Sequence, residues 1–382
     1  MKLRSYWLER IENSWKKRSL IWLYGVRRTG KTVLSQSLDN VEYFDCELPR
    51  VRRLLEDPEA FWEALRGQRV VLDEIQRLPN PSETLKIATD HFSETRVLAT
   101  GSSTLQASAR FRDTLTGRKS EIWLTPMMSR DLLDFGSGQL KERLQRGGLP
   151  PYFLSPQMDE HDYEEWLDSF WARDIQELFR LERRWSFQRF LQLLLAQSGG
   201  IFEASRFAGP CEISRTTVAN YLDVMEATRV VTVVRPFHSQ RATEIISAPK
   251  VYGFDTGFVC HHRGWTDLRP EDWGDLWEHY VLNEIAAGLQ SNAIHYWRDK
   301  RGHEVDLVLA GRSGGPLAIE CKWSMGGFSS KNLHAFRRQY PEGENWLVAS
   351  DIDLPQRRAL DDLSVDFINL QELARRLNPI TS

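Results

Sequence analysis

The chain has 382 residues, a formal net charge of −3 at pH 7, 41% hydrophobic residues and 27% charged residues. These values are typical of a globular protein with two or three domains, and they exclude a global positive field that would attract nucleic acid. Any contact with DNA must therefore come from local basic patches. The apolar runs are no longer than strands, so no membrane partner is expected. Four scattered cysteines without a CxxC pair predict reduced thiols and a cytoplasmic location.

The first predicted domain, residues 1–135, alternates strand-like and helix-like stretches, which predicts a parallel sheet covered by helices. Its basic, amphipathic start, residues 1–18, lacks the apolar core of a signal peptide. The predicted strands are Leu20–Tyr24, Val41–Asp45, Val70–Asp73 and Arg96–Thr100, and the main predicted helix is Lys31–Leu38. Glycine-rich turns and apolar residues at helical spacing then predict a helical lid or linker over residues 136–198. Within it, the apolar spacing from Tyr163 to Leu181 predicts one packing helix.

A phosphate-binding motif spans residues 25–32, where Gly-Val-Arg-Arg-Thr-Gly-Lys-Thr matches G-x-x-x-x-G-K-[ST] in full. The motif follows a predicted strand and opens a predicted helix, as its chemistry requires. The two glycines allow backbone amides to curl around phosphate oxygens, and the helix start adds its dipole. Lys31 places a charge on the β- and γ-phosphates, and Thr32 offers a hydroxyl to Mg²⁺. The predicted ATP-binding residues of this loop are Gly25, Arg28, Thr29, Gly30, Lys31 and Thr32.

A second motif, Val70-Val71-Leu72-Asp73-Glu74, is an apolar strand that ends in two acids. Asp73 is predicted to hold Mg²⁺ together with Thr32, and Glu74 to orient or deprotonate the attacking water. Ser102, at the end of the next strand, is the candidate polar contact to the γ-phosphate. The candidates for an arginine finger or sensor are Arg110, Arg112 and Arg118, of which Arg118 is preferred.

The order of helix-like and strand-like stretches in residues 199–262 predicts a small unit with the layout of a winged helix-turn-helix. Ser214 is a good helix cap. The helix after it carries an apolar stripe of Val218, Tyr221, Leu222 and Met225. Val230–Val234 is a predicted strand, with Glu244–Ile246 as its returning partner. Such units bind DNA, but they also serve as protein-packing modules, and the sequence leaves both options open.

The last predicted domain, residues 263–382, contains a second group of candidate residues. Because strand side chains alternate between faces, Glu320 and Lys322 share a face, and Asp306 lies on a neighbouring predicted strand. Glu278 lies on the apolar face of the preceding helix, which is costly for a carboxylate without a partner or metal. The three acids are therefore candidate metal ligands for phosphodiester hydrolysis, and the lysine can orient water. The alternative is a set of structural ion pairs.

Taken in order, these motifs resemble those of prokaryotic AAA-family ATPases with a C-terminal domain of the restriction-endonuclease-like, PD-(D/E)xK type. The resemblance rests on the motifs at 25–32, 72–76, 100–103, 147–150, 255–257, 277–281, 304–306 and 320–322. In the nuclease-type signature, Glu278 corresponds to the helix acid, Asp306 to the central acid, and Glu320 and Lys322 to the E-x-K pair. Val305 stands where the plain signature has proline.

The resemblance implies an α/β fold: a P-loop NTPase parallel sheet with a helical lid, a winged helix-turn-helix and a C-terminal α/β restriction-endonuclease-like domain. We expect a Mg²⁺-dependent ATPase whose nucleotide state controls a DNA-binding C-terminal half, with DNA cleavage as an open option. A homo-oligomer is compatible with this function, because an arginine supplied in trans often completes such ATP sites. The rivals are a nucleotide-switch regulator with a non-catalytic DNA- or protein-binding domain, and an ATPase that remodels proteins.

Overall fold

The computed structural model describes residues 2–102, 109–136, 139–155, 159–179, 181, 183–238, 248–311 and 314–377. The side chains of residues 109, 110, 112, 177 and 178 lie outside this description. The chain divides into two compact units. The first unit comprises Met1–Gln139, Gly148–Gln188 and Asn220–Val230, and the second comprises Leu140–Gly147, Arg189–Ala219 and Val231–Ser382.

The first unit is built on a parallel sheet whose described strands follow the order β2-β3-β4-β1-β5. These strands are β1 (Leu20–Gly25), β2 (Glu42–Asp45), β3 (Arg69–Asp73), β4 (Arg96–Ser102) and β5 (Lys119–Trp123). β1 is buried along its whole length because it has neighbours on both sides, which explains its unbroken apolar sequence. The predicted parallel sheet is confirmed, and its four predicted strands lie within two residues of their observed bounds.

The fifth strand, β5, was not predicted. Among the described strands it pairs with β1 alone, so it lies at the edge of that sheet, and only its last two residues are buried. Its sequence, Lys-Ser-Glu-Ile-Trp, therefore lacks the apolar run that identifies a buried strand.

Helices of the first unit cover the sheet and continue beyond it. They are Ser5–Trp15, Lys31–Gln36, Pro49–Leu54, Pro58–Ala64, Pro81–His91, Ala109–Thr114, Ser129–Asp134, Pro150–Leu154, Glu160–Phe170 and Gln176–Phe179. The last two are joined by one turn of π-helix, Trp171–Ile175. The sequence predicted a single helix here, because the apolar residues keep helical spacing across the π turn.

The second unit is built on a mixed sheet whose described strands follow the order β13-β14-β12-β11-β10-β9-β7-β8-β6. These strands are β6 (Gly200–Ile201), β7 (Val231–Pro236), β8 (Lys250–Gly253), β9 (Ile294–Arg298), β10 (Glu304–Leu309), β11 (Leu317–Lys322), β12 (Asn345–Ala349), β13 (Gln356–Leu360) and β14 (Leu363–Ile368). Its helices are Leu140–Arg146, Ala204–Ala208, Thr256–Arg263, Pro270–Leu289, Lys331–Gln339 and Leu370–Arg376. The helices Arg184–Ala196 and Arg215–Ala227 each contain a boundary between the units.

The observed division differs from the four predicted domains, 1–135, 136–198, 199–262 and 263–382. β7 pairs in parallel with β9, so strands from residues 199–262 belong to the same sheet as the C-terminal strands. Strand periodicity shows which residues form a strand but not which strand becomes its neighbour, and the sequence therefore did not predict this junction. The predicted partner of Val230–Val234, Glu244–Ile246, lies outside the described residues; β8 pairs with β7 instead.

Candidate nucleotide site and carboxylate–lysine cluster

The carboxyl ends of three parallel strands meet at one edge of the first unit's sheet. Gly25, which ends β1, pairs with Ser102 at the end of β4, and β4 lies between β1 and β3. The loop that follows β1 and the acids at the end of β3 therefore lie at the same edge. A cavity of about 470 Å³ opens there. Its lining includes the side chains of Lys31, Thr32, Glu74 and Ser102.

Backbone geometry explains the two glycines of the loop. A Cβ on Gly25 would lie 2.3 Å from the carbonyl oxygen of Leu124, so this position has no room for a side chain. Gly30 has φ +92°, which favours glycine, and it caps the helix that begins at Lys31. Arg28 also has a positive φ, 67°. The loop thus turns sharply and presents a helix start to the cavity, which is the geometry that binds phosphate.

Lys31 is buried beneath this loop. Its ammonium donates hydrogen bonds to the carbonyl oxygens of Gly25, at 3.0 Å, and Val26, at 3.2 Å. Burial lowers the pKa of Lys31, and the nearby carboxylate of Glu74 opposes that effect. Among the residues that the structure describes, the ammonium of Lys31 is hydrogen-bonded to these backbone oxygens and to no carboxylate.

The acids after β3 are held by hydroxyl and amide groups. Asp73 is buried, and it accepts hydrogen bonds from the hydroxyls of Tyr43, at 2.5 Å, and Thr100. Glu74 has φ +55°, an unfavourable conformation for a residue with a side chain. Its backbone amide donates to the Thr100 hydroxyl, and its carboxylate accepts from Gln76. Such strain often occurs at functional sites, and here it turns the carboxylate of Glu74 toward the cavity.

Not every predicted loop residue contacts the cavity through its side chain. The Thr29 hydroxyl is buried and donates to the carbonyl oxygen of Val26, so it stabilises the loop from within. The Arg28 guanidinium donates to the hydroxyl of Tyr152, at 2.9 Å, and to the carboxylate of Glu165, at 2.7 Å. Arg28 lines the cavity, but its charge already has a partner.

Arg118, the preferred arginine-finger candidate, lies away from the cavity of its own chain. β1 and β5 are in parallel register with Leu20 opposite Lys119, so Arg118 lies beside the amino end of β1, whereas the loop follows the carboxyl end. Its guanidinium forms an ion pair with Asp90, at 2.7 Å. Arg118 therefore does not reach the cavity of its own chain, and its role as an arginine finger supplied to another copy of the chain stays a prediction. The side chains of Arg110 and Arg112 lie outside the described residues.

Several residues that line the cavity were not predicted from the sequence, among them Arg4, Arg27 and Asp174. Arg4 donates to the carbonyl oxygens of Thr29 and Thr125 and pairs with a buried aspartate. Arg27 pairs through Nε with Asp174, at 2.8 Å. Arg4 and Asp174 lie in no sequence motif, and Arg27 occupies one of the variable positions of the motif at 25–32, so the sequence did not indicate their contacts with distant partners. The π turn at 171–175, which places Asp174 at the cavity, also leaves no signature in the apolar spacing.

A second group of charged side chains lies between β10 and β11 of the other unit. The Lys322 ammonium is 2.9 Å from an oxygen of Asp306 and 2.9 Å from an oxygen of Glu320. Asp306 also accepts a hydrogen bond from the backbone amide of Cys321. Burial, together with the nearby Asp306 carboxylate, raises the pKa of Glu320 to about 8. Burial alone would lower the pKa of Lys322, but attraction to the two carboxylates outweighs it and raises that pKa.

Glu278 lies near this cluster on the helix Pro270–Leu289, but it has its own partners. It pairs with Lys250, at 3.1 Å, and accepts a hydrogen bond from the hydroxyl of Tyr252. Burial raises the pKa of Glu278, and the Asp306 carboxylate adds to the effect. Lys250 also pairs with Glu304, at 2.5 Å. Among the residues that the structure describes, no group of three or more histidine, cysteine or acidic side chains is arranged to hold a metal ion.

Known families match the chain in three consecutive segments. Residues 17–133 match the family described as AAA domain. Residues 137–269 match a domain of unknown function, DUF8612, and residues 273–372 match another, DUF4143.

Similarity over most of the chain extends to proteins of bacteria and archaea. Uncharacterized proteins of Mycobacterium tuberculosis and Mycobacterium bovis are each 29% identical to this chain over 325 residues, which cover 82% of this chain and 72% of theirs. An uncharacterized protein of Methanocaldococcus jannaschii is 22% identical over 326 residues, which cover 76% of this chain and 72% of that protein.

Two solved structures show weaker similarity. The Walker-type ATPase PABY2304 of Pyrococcus abyssi is 16% identical with a TM-score of 0.43, over 69% of this chain and 96% of that one. The DNA clamp loader delta protein of Bacillus subtilis is 13% identical with a TM-score of 0.25, over 58% of this chain and 88% of that one.

The parallel sheet, the loop at 25–32 and the family match together define the class of the N-terminal segment: residues 17–133 form an AAA-type P-loop ATPase domain. The described helices include none that is both long and apolar enough to cross a membrane.

Proposed function

We propose that the first unit binds ATP and hydrolyses it with the help of Mg²⁺. One observation carries the proposal: Lys31, Thr32, Glu74 and Ser102, which are expected to contact phosphate, Mg²⁺ and water, line a single cavity at the carboxyl edge of the sheet. Asp73 does not line this cavity but is buried at the end of the neighbouring strand β3. Lys31 would bind the β- and γ-phosphates, and Ser102 would contact the γ-phosphate. Glu74 would hold the attacking water in position and take up its proton.

The oxygen atoms at this edge fit Mg²⁺ in chemical type. Thr32 is at the start of the helix and offers a hydroxyl, and Asp73 offers a carboxylate, both of which are hard ligands. When bound, Mg²⁺ would neutralise charge on the phosphates. The hydroxyls of Tyr43 and Thr100 hold the Asp73 carboxylate in place.

The remainder of the cavity suits a nucleoside. Apolar side chains also line the cavity, among them Val33, Phe135, Pro150 and Leu154. Val33 and Leu154 are 41% and 52% exposed, which is high for apolar residues and leaves their surfaces available to a base. A volume of about 470 Å³ lies within the range of small-molecule and cofactor sites.

The experiment is calorimetric titration of the purified chain with ATP and Mg²⁺, followed by a phosphate-release assay. We expect saturable binding at one site per chain and steady release of phosphate. Binding without release would favour the nucleotide-switch regulator. A chain that does not bind ATP at all would contradict the proposal.

We further propose that the carboxylate–lysine cluster of the second unit, Asp306, Glu320 and Lys322, cleaves DNA with a divalent metal. The observation that favours it is an imbalance of buried charge: two carboxylates share one ammonium. Glu320 is fully buried, and the groups that reach its carboxylate are the ammonium of Lys322 and the neutral side-chain amide of Asn332. A cation beside Asp306 and Glu320 would offset their repulsion.

The side chains would then have separate tasks. Asp306 and Glu320 would hold the metal, which when bound supplies a positive charge that polarises the phosphate. Lys322 would orient the water and offset developing negative charge. Glu278 is held by Lys250 and Tyr252, so it would contribute only after exchanging these partners. The structural ion-pair alternative predicts no response to metal.

We predict that Mg²⁺ or Mn²⁺, added without nucleotide, raises the melting temperature of the chain, because ligands that bind the folded state stabilise it. Asp306→Asn and Glu320→Gln should each remove this gain. Asp353→Asn is the matched control, because Asp353 is an exposed acid in the same unit. Differential scanning fluorimetry at increasing metal concentration provides the measurement.

The same variants test DNA cleavage with supercoiled plasmid. We expect metal-dependent nicking by the wild-type chain and none by Asp306→Asn or Glu320→Gln. Lys322→Ala should retain the thermal response to metal and lose cleavage. A thermal response without cleavage by the wild-type chain would favour the non-catalytic regulator, and no response to metal would favour structural ion pairs.

A further inference from the structure

The cavity of the first unit already contains an anion of the chain itself. Asp174 lies in the π turn Trp171–Ile175, and its side chain is only 4% exposed. It lines the same cavity as Lys31, Glu74 and Ser102. A buried carboxylate next to a phosphate-binding loop is unfavourable for a nucleotide that carries several negative charges.

The partners of Asp174 are groups suited to bind phosphate. Arg27, within the loop, donates to its carboxylate at 2.8 Å, and the Ser102 hydroxyl also donates to it. Lys31 is close enough to attract the carboxylate electrostatically. Burial raises the pKa of Asp174, and Arg27 and Lys31 oppose this effect.

We propose that Asp174 occupies part of the phosphate site in the nucleotide-free chain and must release Arg27 and Ser102 when ATP binds. This inference rests on the proposed ATP site and adds a competitor that no motif at 25–32 or 73–74 contains. Lys31 is likewise held by the carbonyl oxygens of Gly25 and Val26 until phosphate arrives. ATP therefore replaces contacts that the chain makes with itself.

If ATP replaces the contacts of Asp174, nucleotide binding will affect the helical segment 160–179, to which Asp174 belongs. Besides the Asp174 contact, Trp166 donates through its indole nitrogen to the carbonyl oxygen of Arg27, at 3.3 Å. Glu165 of the same segment holds the guanidinium of Arg28. Three side chains of one segment thus contact two consecutive residues of the loop. Movement of Asp174 away from Arg27 would change the backbone conformation of the π turn at 171–175.

Asp174→Asn tests the proposal because it removes the charge and nearly preserves the shape. We expect ATP affinity to increase about tenfold, within the usual range of coupling between sites. The gain for ADP should be smaller, because Ser102 is placed to meet the γ-phosphate, which ADP lacks. Asp168→Asn is the matched control, since Asp168 lies in the same segment but is exposed and paired with Arg184. Its ATP affinity should equal that of the wild type.

Calorimetric titration of the full chain with ATP and with ADP, each with Mg²⁺, measures these affinities. Unchanged or weaker ATP binding by a folded Asp174→Asn chain would overturn the inference while leaving the proposed function intact. A wild-type chain that does not bind ATP would overturn both.

Hydrogen exchange of the wild-type chain supplies a test that does not depend on the variant folding. We expect ATP to change the exchange rates of backbone amides in residues 166–176, and the control variant Lys31→Ala to show no change. Wild-type rates that are the same with and without saturating ATP would overturn the inference.

Discussion

Replacing Glu74 by glutamine is expected to lower the rate of ATP hydrolysis by about 10²–10⁴-fold, the usual contribution of a general base. Glutamine has nearly the same shape as glutamate, but its amide cannot take a proton from water. The variant should keep its fold, because the hydroxyl of Thr100 still accepts from the backbone amide at position 74. ATP affinity should stay close to that of the wild type, since Glu74 is proposed to act on water and not on phosphate.

Lys31→Ala should give a different result, with ATP binding itself lost, because the proposed role of Lys31 is to bind the phosphates. Calorimetry measures affinity and a phosphate-release assay measures turnover for both variants. The matched controls are Glu83→Gln and Lys16→Ala, which change exposed side chains of the same unit. Normal turnover by Glu74→Gln would contradict the proposal that Glu74 takes the proton from water. Normal ATP affinity of Lys31→Ala would contradict the proposal that the loop at 25–32 binds the phosphates.

Replacing Arg4 by methionine is expected to destabilise the chain by about 3–5 kcal/mol, the usual cost of removing one partner of a buried ion pair. Arg4 and Asp131 are 4% and 0% exposed, and two guanidinium nitrogens bind the carboxylate, at 3.0 and 2.5 Å. The variant leaves Asp131 buried without its cation. It also removes the donor to the carbonyl oxygens of Thr29 and Thr125, at 3.1 and 3.0 Å.

Urea denaturation followed by tryptophan fluorescence measures this loss for Arg4→Met. ATP affinity should fall as well, because the carbonyl of Thr29 belongs to the phosphate-binding loop. Arg66→Met is the control: Arg66 forms ion pairs with Glu63 and Glu94 at the surface, where such pairs contribute little. A stability for Arg4→Met within about 1 kcal/mol of the wild type would show that the buried pair is dispensable.

The sequence was most informative where the chemistry lies in consecutive residues. The loop at 25–32 is one uninterrupted motif, and Asp73 and Glu74 end an apolar strand, so both could be located without the structure. Ser102 was predicted to lie beside the loop from a weaker rule, which is that polar residues at the carboxyl ends of neighbouring parallel strands lie at the same edge of the sheet. The pairing of Gly25 with Ser102 shows why the rule works.

Partners that are distant in sequence were not predictable. Arg4 and Asp131 are 127 positions apart, and neither lies in a motif. Asp174 was read as part of a regular helix, because one π turn shifts the side chains that follow it without interrupting the apolar spacing. Lys250 and Tyr252, which hold Glu278, were assigned to a different domain and so were not considered as its partners.

The pairing of β7 with β9 has a practical consequence for dividing the protein. A chain cut between residues 262 and 263, at the predicted domain boundary, would separate these two strands and leave each with an unpaired edge. Open strand edges promote aggregation. The C-terminal piece would also lack Lys250, so Glu278 and Glu304 would lose their shared cation. A failed cleavage assay on that piece would therefore say nothing about the intact chain, so the proposed cleavage must be tested on the full chain and not on the isolated C-terminal segment.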